Sequence, residues 1–146
     1  MTDAFPVLNS VVLDTTDARG LAEFYRHLLG YEYRPGDEPP PAGEPDPSGH
    51  DWLILRDPDG PGRLGFQQVE SLPPTTWPAD GVPQQLHLDL RVPTADELSR
   101  QRDRVEQLGG QVRYDRFADP QEPLYVFADP AGHPFCIFVA GDPGTD

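Results

Sequence analysis

The chain has 146 residues, a length typical of one compact domain. Acidic residues outnumber basic ones 25 to 11, which gives a formal net charge of −14 and a pI near 4.4. This charge disfavours binding to nucleic acid and to anionic lipid surfaces, and no apolar run approaches the roughly 20 residues of a membrane span. The first residues lack the basic and apolar pattern of a secretory signal. We therefore expect a cytoplasmic protein.

The cysteine and lysine content of the sequence excludes several kinds of reactive site. The single cysteine, Cys136, excludes an intramolecular disulfide and a zinc site built only from cysteines. A lone intracellular cysteine is most often a small buried hydrophobe, with metal ligation or nucleophilic attack as the alternative. Lysine does not occur in the sequence, which excludes a lysine Schiff base.

The first half of the chain predicts one β-α-β-β-β unit. Asp17 is placed to cap a helix whose apolar residues recur at helical spacing until Gly30 ends it. Alternating apolar residues bounded by turn residues predict the strands. The predicted strands of this half are 8–15, 31–34, 52–57 and 63–69.

Residues 35–51, between the second and third of these strands, are rich in proline, glycine and acids. Prolines limit helix and central-strand formation, and the acids favour solvent. This composition predicts a mobile loop. We expect it to lie over the mouth of a ligand cavity as a lid.

The second half repeats the order after a proline-rich connector, residues 71–85. Thr94 with Glu97 forms a capping box for a helix that ends at Gly109. The predicted strands of this half are 86–92, 111–117, 124–128 and 134–140. The chain of residues 1–146 is therefore expected to be a single domain made of two modules, 7–70 and 86–140.

Aligning the two modules pairs their polar strand residues. Ser10 falls opposite His87. Gln67 falls opposite Cys136 when three residues are inserted after the first Asp-Pro turn. We predict that each pair occupies equivalent strand positions.

Several stretches carry a family resemblance, and in chain order they are Leu8–Asp14 with Asp17, Phe24-Tyr25, Leu28–Gly30, Leu86–Leu90 and Asp129–Phe135. Over about residues 7–140 the sequence resembles the vicinal oxygen chelate superfamily, which includes glyoxalase I, methylmalonyl-CoA epimerase, extradiol dioxygenases and the bleomycin resistance proteins. Phe66-Gln67 and His87-Leu88-Asp89-Leu90 are most similar to a short actinobacterial glyoxalase-like subgroup. The resemblance implies an α+β fold in which two βαβββ modules form a curled mixed β-sheet around a central cavity.

The resemblance also implies positions for a metal site. In the metal-using relatives, four inward-facing side chains hold a divalent ion that binds two vicinal oxygens of the substrate. By position these are Ser10, Gln67, His87 and Cys136. Only His87 is a strong ligand, Gln67 is a weaker one, and a neutral serine hydroxyl is poor. We therefore expect no tightly bound metal, with weak divalent binding at His87 and Gln67 as the alternative.

Strand alternation adds candidate substrate-binding residues. Asp14, Asp89 and Arg91 fall on the inward alternation, where they could contact substrate or pair with one another. His87 could instead be a hydrogen-bonded strand histidine in a polar cavity. The predicted substrate-binding set is Ser10, Asp14, Gln67, His87, Asp89 and Cys136. The aromatic residues that could line the cavity or belong to the core are Trp52, Trp77 and Phe117.

Two functions remain open from the sequence. The first is a metal-free protein that binds a small aromatic or cationic molecule, as the bleomycin resistance branch does. The second is a metal-dependent lyase or isomerase acting on a small carbonyl or vicinal-oxygen substrate. No catalytic residue is predicted. A homodimer is compatible with either function, because modules can pair within or between chains.

Overall fold

The structure, a computed structural model, describes residues 4–141. The chain divides into two compact units, Met1–Glu70 and Ser71–Asp146, so the connector belongs to the second unit. The first unit contains β1 (Val11–Thr15), α1 (Ala18–Leu29), β2 (Glu32–Tyr33), β3 (Trp52–Arg56) and β4 (Arg63–Gln68). The second contains β5 (Leu88–Val92), α2 (Ala95–Leu108), β6 (Gln111–Asp115), β7 (Leu124–Ala128) and β8 (Pro134–Val139).

Both units have the same mixed sheet. The strand order is β1-β4-β3-β2 in the first unit and β5-β8-β7-β6 in the second. The first strand of each repeat is parallel to its last strand, and the remaining pairs are antiparallel. The predicted α+β arrangement of two βαβββ repeats is therefore confirmed. Neither helix, among the residues described, has the length and apolar character needed to cross a bilayer.

In the first unit, α1 begins and ends at the predicted residues. The Asp17 carboxylate accepts a hydrogen bond from the Gly20 amide at 3.0 Å, and Gly30 ends the helix with φ of +70°. The apolar side of α1 packs on one face of the sheet, where the Tyr25 and Phe66 rings stack with centroids 6.0 Å apart. The opposite face of this sheet carries Val12, Trp52 and Ile54 around Gly65, together with the polar residues Asp14 and Gln67.

In the second unit, the Thr94 hydroxyl accepts a hydrogen bond from the Glu97 amide at 3.1 Å, as the capping box predicts. Apolar side chains of α2 are buried against its sheet, whose core includes Phe127. Phe117 stacks on Tyr125 with centroids 5.7 Å apart. Because Tyr125 belongs to this core, Phe117 packs against the core and is not a cavity residue.

The first strand of each repeat begins later than predicted. β1 begins at Val11, because its only neighbour in the sheet, β4, first pairs with it there. Phe5, Val7 and Leu8 lie outside the sheet and are 78–90% exposed. β5 likewise begins at Leu88. The apolar residues before each strand therefore do not mark the strand start.

Residues 35–51, the predicted lid, are anchored to α1 of the first unit. Arg19 of α1 holds residues 35–51, because its guanidinium donates to the Asp46 carboxylate at 2.9 Å and to the Asp37 carbonyl at 2.6 Å. A short 3-10 helix, Ser48–His50, lies against α1 and β3. Within the first unit, the loop is therefore held against α1 and β3.

Candidate functional site

The candidate site is the face of the second sheet that α2 leaves uncovered. Along β8, Phe135 and Ile137 are buried on the helix side, and alternation places Cys136 and Phe138 on the other side. A concavity of about 360 Å³, which we call the cup, opens there. Its rim carries two aromatic and five polar side chains. Its floor consists of Leu124, Val126, Cys136 and Phe138.

His87 and Asp89, both predicted site residues, lie together at the rim. The His87 Nε2 atom is 3.3 Å from Asp89 Oδ1, and Nδ1 is 3.1 Å from the Gln84 side-chain oxygen. Both ring nitrogens therefore have oxygen partners, which hold the imidazole in place. The His87 and Asp89 side chains are 49% and 59% exposed, so both remain accessible to a ligand.

Cys136, the third predicted residue in the cup, is 8% exposed. Burial raises the pKa of its thiol to about 11, and the negative charges of Asp89 and Glu122 add to the rise, partly offset by Arg116. The side chain is therefore a neutral thiol at physiological pH. It contributes an apolar surface to the floor and is a poor thiolate ligand or nucleophile.

Glu122 is a site residue that the sequence analysis missed. Its neighbour Arg116 pairs with Asp119 at 2.7 Å. Asp119 also accepts hydrogen bonds from the Gln121 and Glu122 amides, which fixes the turn before β7. Within residues 4–141, Glu122 forms no salt bridge, and its electrostatic interaction with Arg116 acts at longer range. The cup therefore contains a carboxylate whose nearest guanidinium is paired with Asp119.

Trp77 and Tyr114 form the aromatic part of the rim. Their ring centroids are 6.3 Å apart at an interplanar angle of 66°, an edge-to-face contact. Trp77 comes from the connector and Tyr114 from β6. A register shift between Val112 and Tyr114 sets Tyr114 opposite Val126, a floor residue of the cup. Simple alternation from Val112 would have assigned Tyr114 to the helix side.

The other predicted residues lie in the first unit. Asp14 is opposite Gln67 in the parallel pair of β1 and β4, on the face that α1 leaves uncovered. Ser10 immediately precedes β1, as His87 precedes β5, so these two residues occupy equivalent positions. Gln68 lies on the helix side, where its side chain accepts a hydrogen bond from the Ala18 amide at 2.9 Å.

The predicted equivalence of Gln67 with Cys136 is wrong. Cys136 lies opposite Asp89, the second residue of β5. Gly65 lies opposite Val12, the second residue of β1, so Gly65 is the counterpart of Cys136. The turn between the last two strands is only one residue longer in the first repeat than in the second. The insertion of three residues therefore moved Gln67 two places out of register.

The side chains in the cup do not fit a divalent metal. His87 has an oxygen within hydrogen-bond or ion-pair distance of each ring nitrogen, and the Cys136 side chain is 8% exposed among apolar floor residues. Across residues 4–141, no cluster of three His, Cys, Asp or Glu side chains could hold an ion. A mononuclear site needs about three good protein donors. Gln67, the second predicted ligand, belongs to the other unit.

The sequence model of the glyoxalase-like domain matches residues 10–138. The chain belongs to the glyoxalase-like domain family. This match covers both repeats of the glyoxalase-like domain, including every strand from β1 to β7. None of the curated proteins matches the sequence.

Several solved structures share the fold of this glyoxalase-like domain. A glyoxalase/bleomycin resistance protein/dioxygenase family enzyme from Burkholderia phytofirmans PsJN is 16% identical, with 90% of this chain and 96% of that chain covered and a TM-score of 0.63. A mutant of the genomically encoded fosfomycin resistance protein from Listeria monocytogenes, in complex with Mn(II) and 1S,2S-dihydroxypropylphosphonic acid, is 15% identical, with coverage of 94% and 95% and a TM-score of 0.65. A hypothetical protein from S. aureus is 18% identical, with coverage of 90% and 95% and a TM-score of 0.61. At these identities the likeness establishes the fold.

Proposed function

We propose that this glyoxalase-like domain binds a small, positively charged organic molecule with an apolar body in the cup, without a tightly held metal. The observation that carries the proposal is the arrangement of an apolar floor beside two carboxylates, Asp89 and Glu122, of which Glu122 forms no salt bridge in the described chain. A ligand with an apolar body would cover the floor. Its cationic group would meet the carboxylates at the rim.

Apolar burial and charge attraction both favour a cation with an apolar body as the ligand. Burial of apolar ligand surface contributes about 25 cal/mol per Å². Coulomb attraction between unit charges about 4 Å apart is worth about 1 kcal/mol in bulk water and about 4 kcal/mol near a protein surface, a range that includes a tenfold gain in affinity. The net charge of −14 also attracts cations to the protein and repels anions. An anion of the same size would bury the same apolar surface but would face two carboxylates.

The test compares two probes with the same ring size and opposite charge, 1-methylquinolinium and 2-naphthoate, by isothermal titration calorimetry. We expect the cation to bind about tenfold or more tightly than the anion. Glu122→Gln should weaken cation binding about tenfold and leave the anion unaffected or slightly tighter.

The matched control is Glu106→Gln. Glu106 is an exposed residue of α2, which packs on the other face of the sheet, and its carboxylate pairs with Arg102 at 3.3 Å. This variant removes the same charge outside the cup and should leave both affinities unchanged. Equal affinity of the two probes for the native protein would refute the proposal, as would equal effects of the two substitutions.

The alternative function is a metal-dependent lyase or isomerase acting on a small carbonyl or vicinal-oxygen substrate. The observation in its favour is the Mn(II) complex of the Listeria monocytogenes fosfomycin resistance protein, which has the same fold. The same titrations distinguish the two functions when they are repeated after chelator treatment and after addition of Mn²⁺. If the probes bind only when Mn²⁺ is present, the result favours the metal-dependent enzyme. If their affinities are the same with and without Mn²⁺, the result favours the proposed metal-free binding.

A further inference from the structure

The connector between the two repeats closes into a compact loop of residues 75–82. The Thr76 amide donates to the Val82 carbonyl at 2.9 Å, and the Val82 amide donates to the Thr76 hydroxyl at 2.9 Å. The Thr75 hydroxyl donates to the same carbonyl at 2.7 Å. These three hydrogen bonds join the two ends of the loop.

The stem of this loop rests on the second repeat. A Cβ atom added to Gly132, in the turn between β7 and β8, would lie 2.7 Å from the Pro74 Cβ atom. Pro74 therefore approaches the turn more closely than any residue other than glycine would allow. The loop is seated beside the cup by this contact and by the Trp77 contact with Tyr114.

We infer that Trp77 determines the shape selectivity of the cup, admitting flat rings in preference to puckered ones. This inference rests on the proposed function and adds the residue that discriminates between flat and puckered ligands. The Trp77 indole is held edge-to-face against Tyr114 on one side of the cup, so a bound ring must fit between this rim and the apolar floor. Aromatic side chains favour planar partners through stacked and edge-to-face contacts.

This assignment separates two roles in the same cup. Glu122 would recognise the charge of the ligand, whereas Trp77 would recognise its flatness. The residue that selects shape lies in the connector, outside both sheets. Shape selectivity can therefore change by substitution in residues 75–82 without altering a strand.

The test uses two quaternary cations of equal charge, flat 1-methylquinolinium and puckered 1,1-dimethyldecahydroquinolinium. We expect the native protein to prefer the flat cation by about tenfold. Trp77→Leu, which keeps an apolar side chain, should remove this preference by weakening the flat cation alone. Trp77→Phe, which keeps an aromatic ring, should retain most of the preference for the flat cation. That result would exclude a merely structural role for Trp77. Glu122→Gln should weaken both cations equally.

A spectroscopic measurement provides an independent readout. The chain has two tryptophans, so Trp52→Phe leaves Trp77 as the only indole. Contact with a quinolinium ring quenches indole fluorescence, and we expect quenching of Trp77 to follow the calorimetric binding curve of the flat cation. Thermal unfolding of each variant checks that the second unit remains folded.

The outcomes distinguish this inference from the proposed function. If neither cation binds the native protein, both are refuted. If both cations bind equally well and Trp77→Leu does not change their ratio, the shape role of Trp77 is refuted while the proposed function stands. Binding of the flat cation without quenching of Trp77 also refutes the inference.

Discussion

The environment of Cys136 makes a quantitative prediction about its reactivity. An ordinary cysteine with a pKa of 9.0 is about one-tenth thiolate at about pH 8, whereas a pKa of about 11 leaves about one thiolate in a thousand. Only the thiolate is alkylated at a useful rate. The native thiol should therefore react with iodoacetamide about a hundredfold more slowly than the same residue in unfolded protein, and restricted access slows it further.

The assay is alkylation followed by mass spectrometry, which is unambiguous because the chain has one cysteine. The unfolded rate is measured in urea at the same pH. Glu122→Gln removes one of the charges that raise the pKa of Cys136, so it should increase the native rate about two- to fivefold. The increase stays far below a hundredfold because burial is the largest cause of the shift. A native rate within about threefold of the unfolded rate would refute the assigned environment of Cys136.

The remaining predictions concern stability, each measured by urea unfolding. Gly132→Ala should lower the free energy of unfolding by about 2–4 kcal/mol, because φ is +94° and the new Cβ atom meets Pro74. Gly30→Ala should lower it by only about 1 kcal/mol, because the space around Gly30 is open. Equal losses would contradict the close contact at Gly132. Asp37→Ala should cost about 1–3 kcal/mol because it leaves the buried Ile54 amide unbonded, and Asp37→Asn, which keeps an acceptor, should cost less. Between about pH 9 and 11 the native Cys136 thiol keeps a proton that the unfolded chain releases, so stability should fall with rising pH, by at most about 1.4 kcal/mol per unit. Cys136→Ala should have a correspondingly flatter pH dependence, and an unchanged slope would contradict the raised pKa.

Local sequence signals were sufficient for the order of helices and strands. Asp17 and Thr94 cap their helices through the predicted side-chain oxygens, and Gly30 and Gly109 end them with positive φ. β7 occupies its predicted range, Leu124–Ala128. These features depend on a few neighbouring residues, which is why a single sequence can indicate them.

The candidate site depended on features that the sequence does not display. The register shift before Tyr114 reverses the face of that residue, and nothing in residues 111–117 marks it. The position of Glu122 follows from hydrogen bonds in the turn that precedes β7. Residues 35–51 were predicted to be mobile from their composition, but one long-range partner, Arg19, fixes them to α1. For Tyr114 a single irregular residue overrides the local pattern, and for residues 35–51 a contact distant in sequence does so.

The parallel pairing of first and last strands has a consequence for how each repeat folds. Val11 has its partner at Leu64, and Leu88 has its partner at Phe135, so neither opening strand can join its sheet until almost the whole repeat has been synthesised. The hairpin of β3 and β4 needs only a short turn and can form before β1 docks. Closing the long connection has an entropic cost that must be met before the parallel contacts form. We therefore expect docking of the opening strand to be the late, rate-limiting event in each repeat, and a ribosome-bound chain truncated before β4 to leave β1 exposed to chaperones.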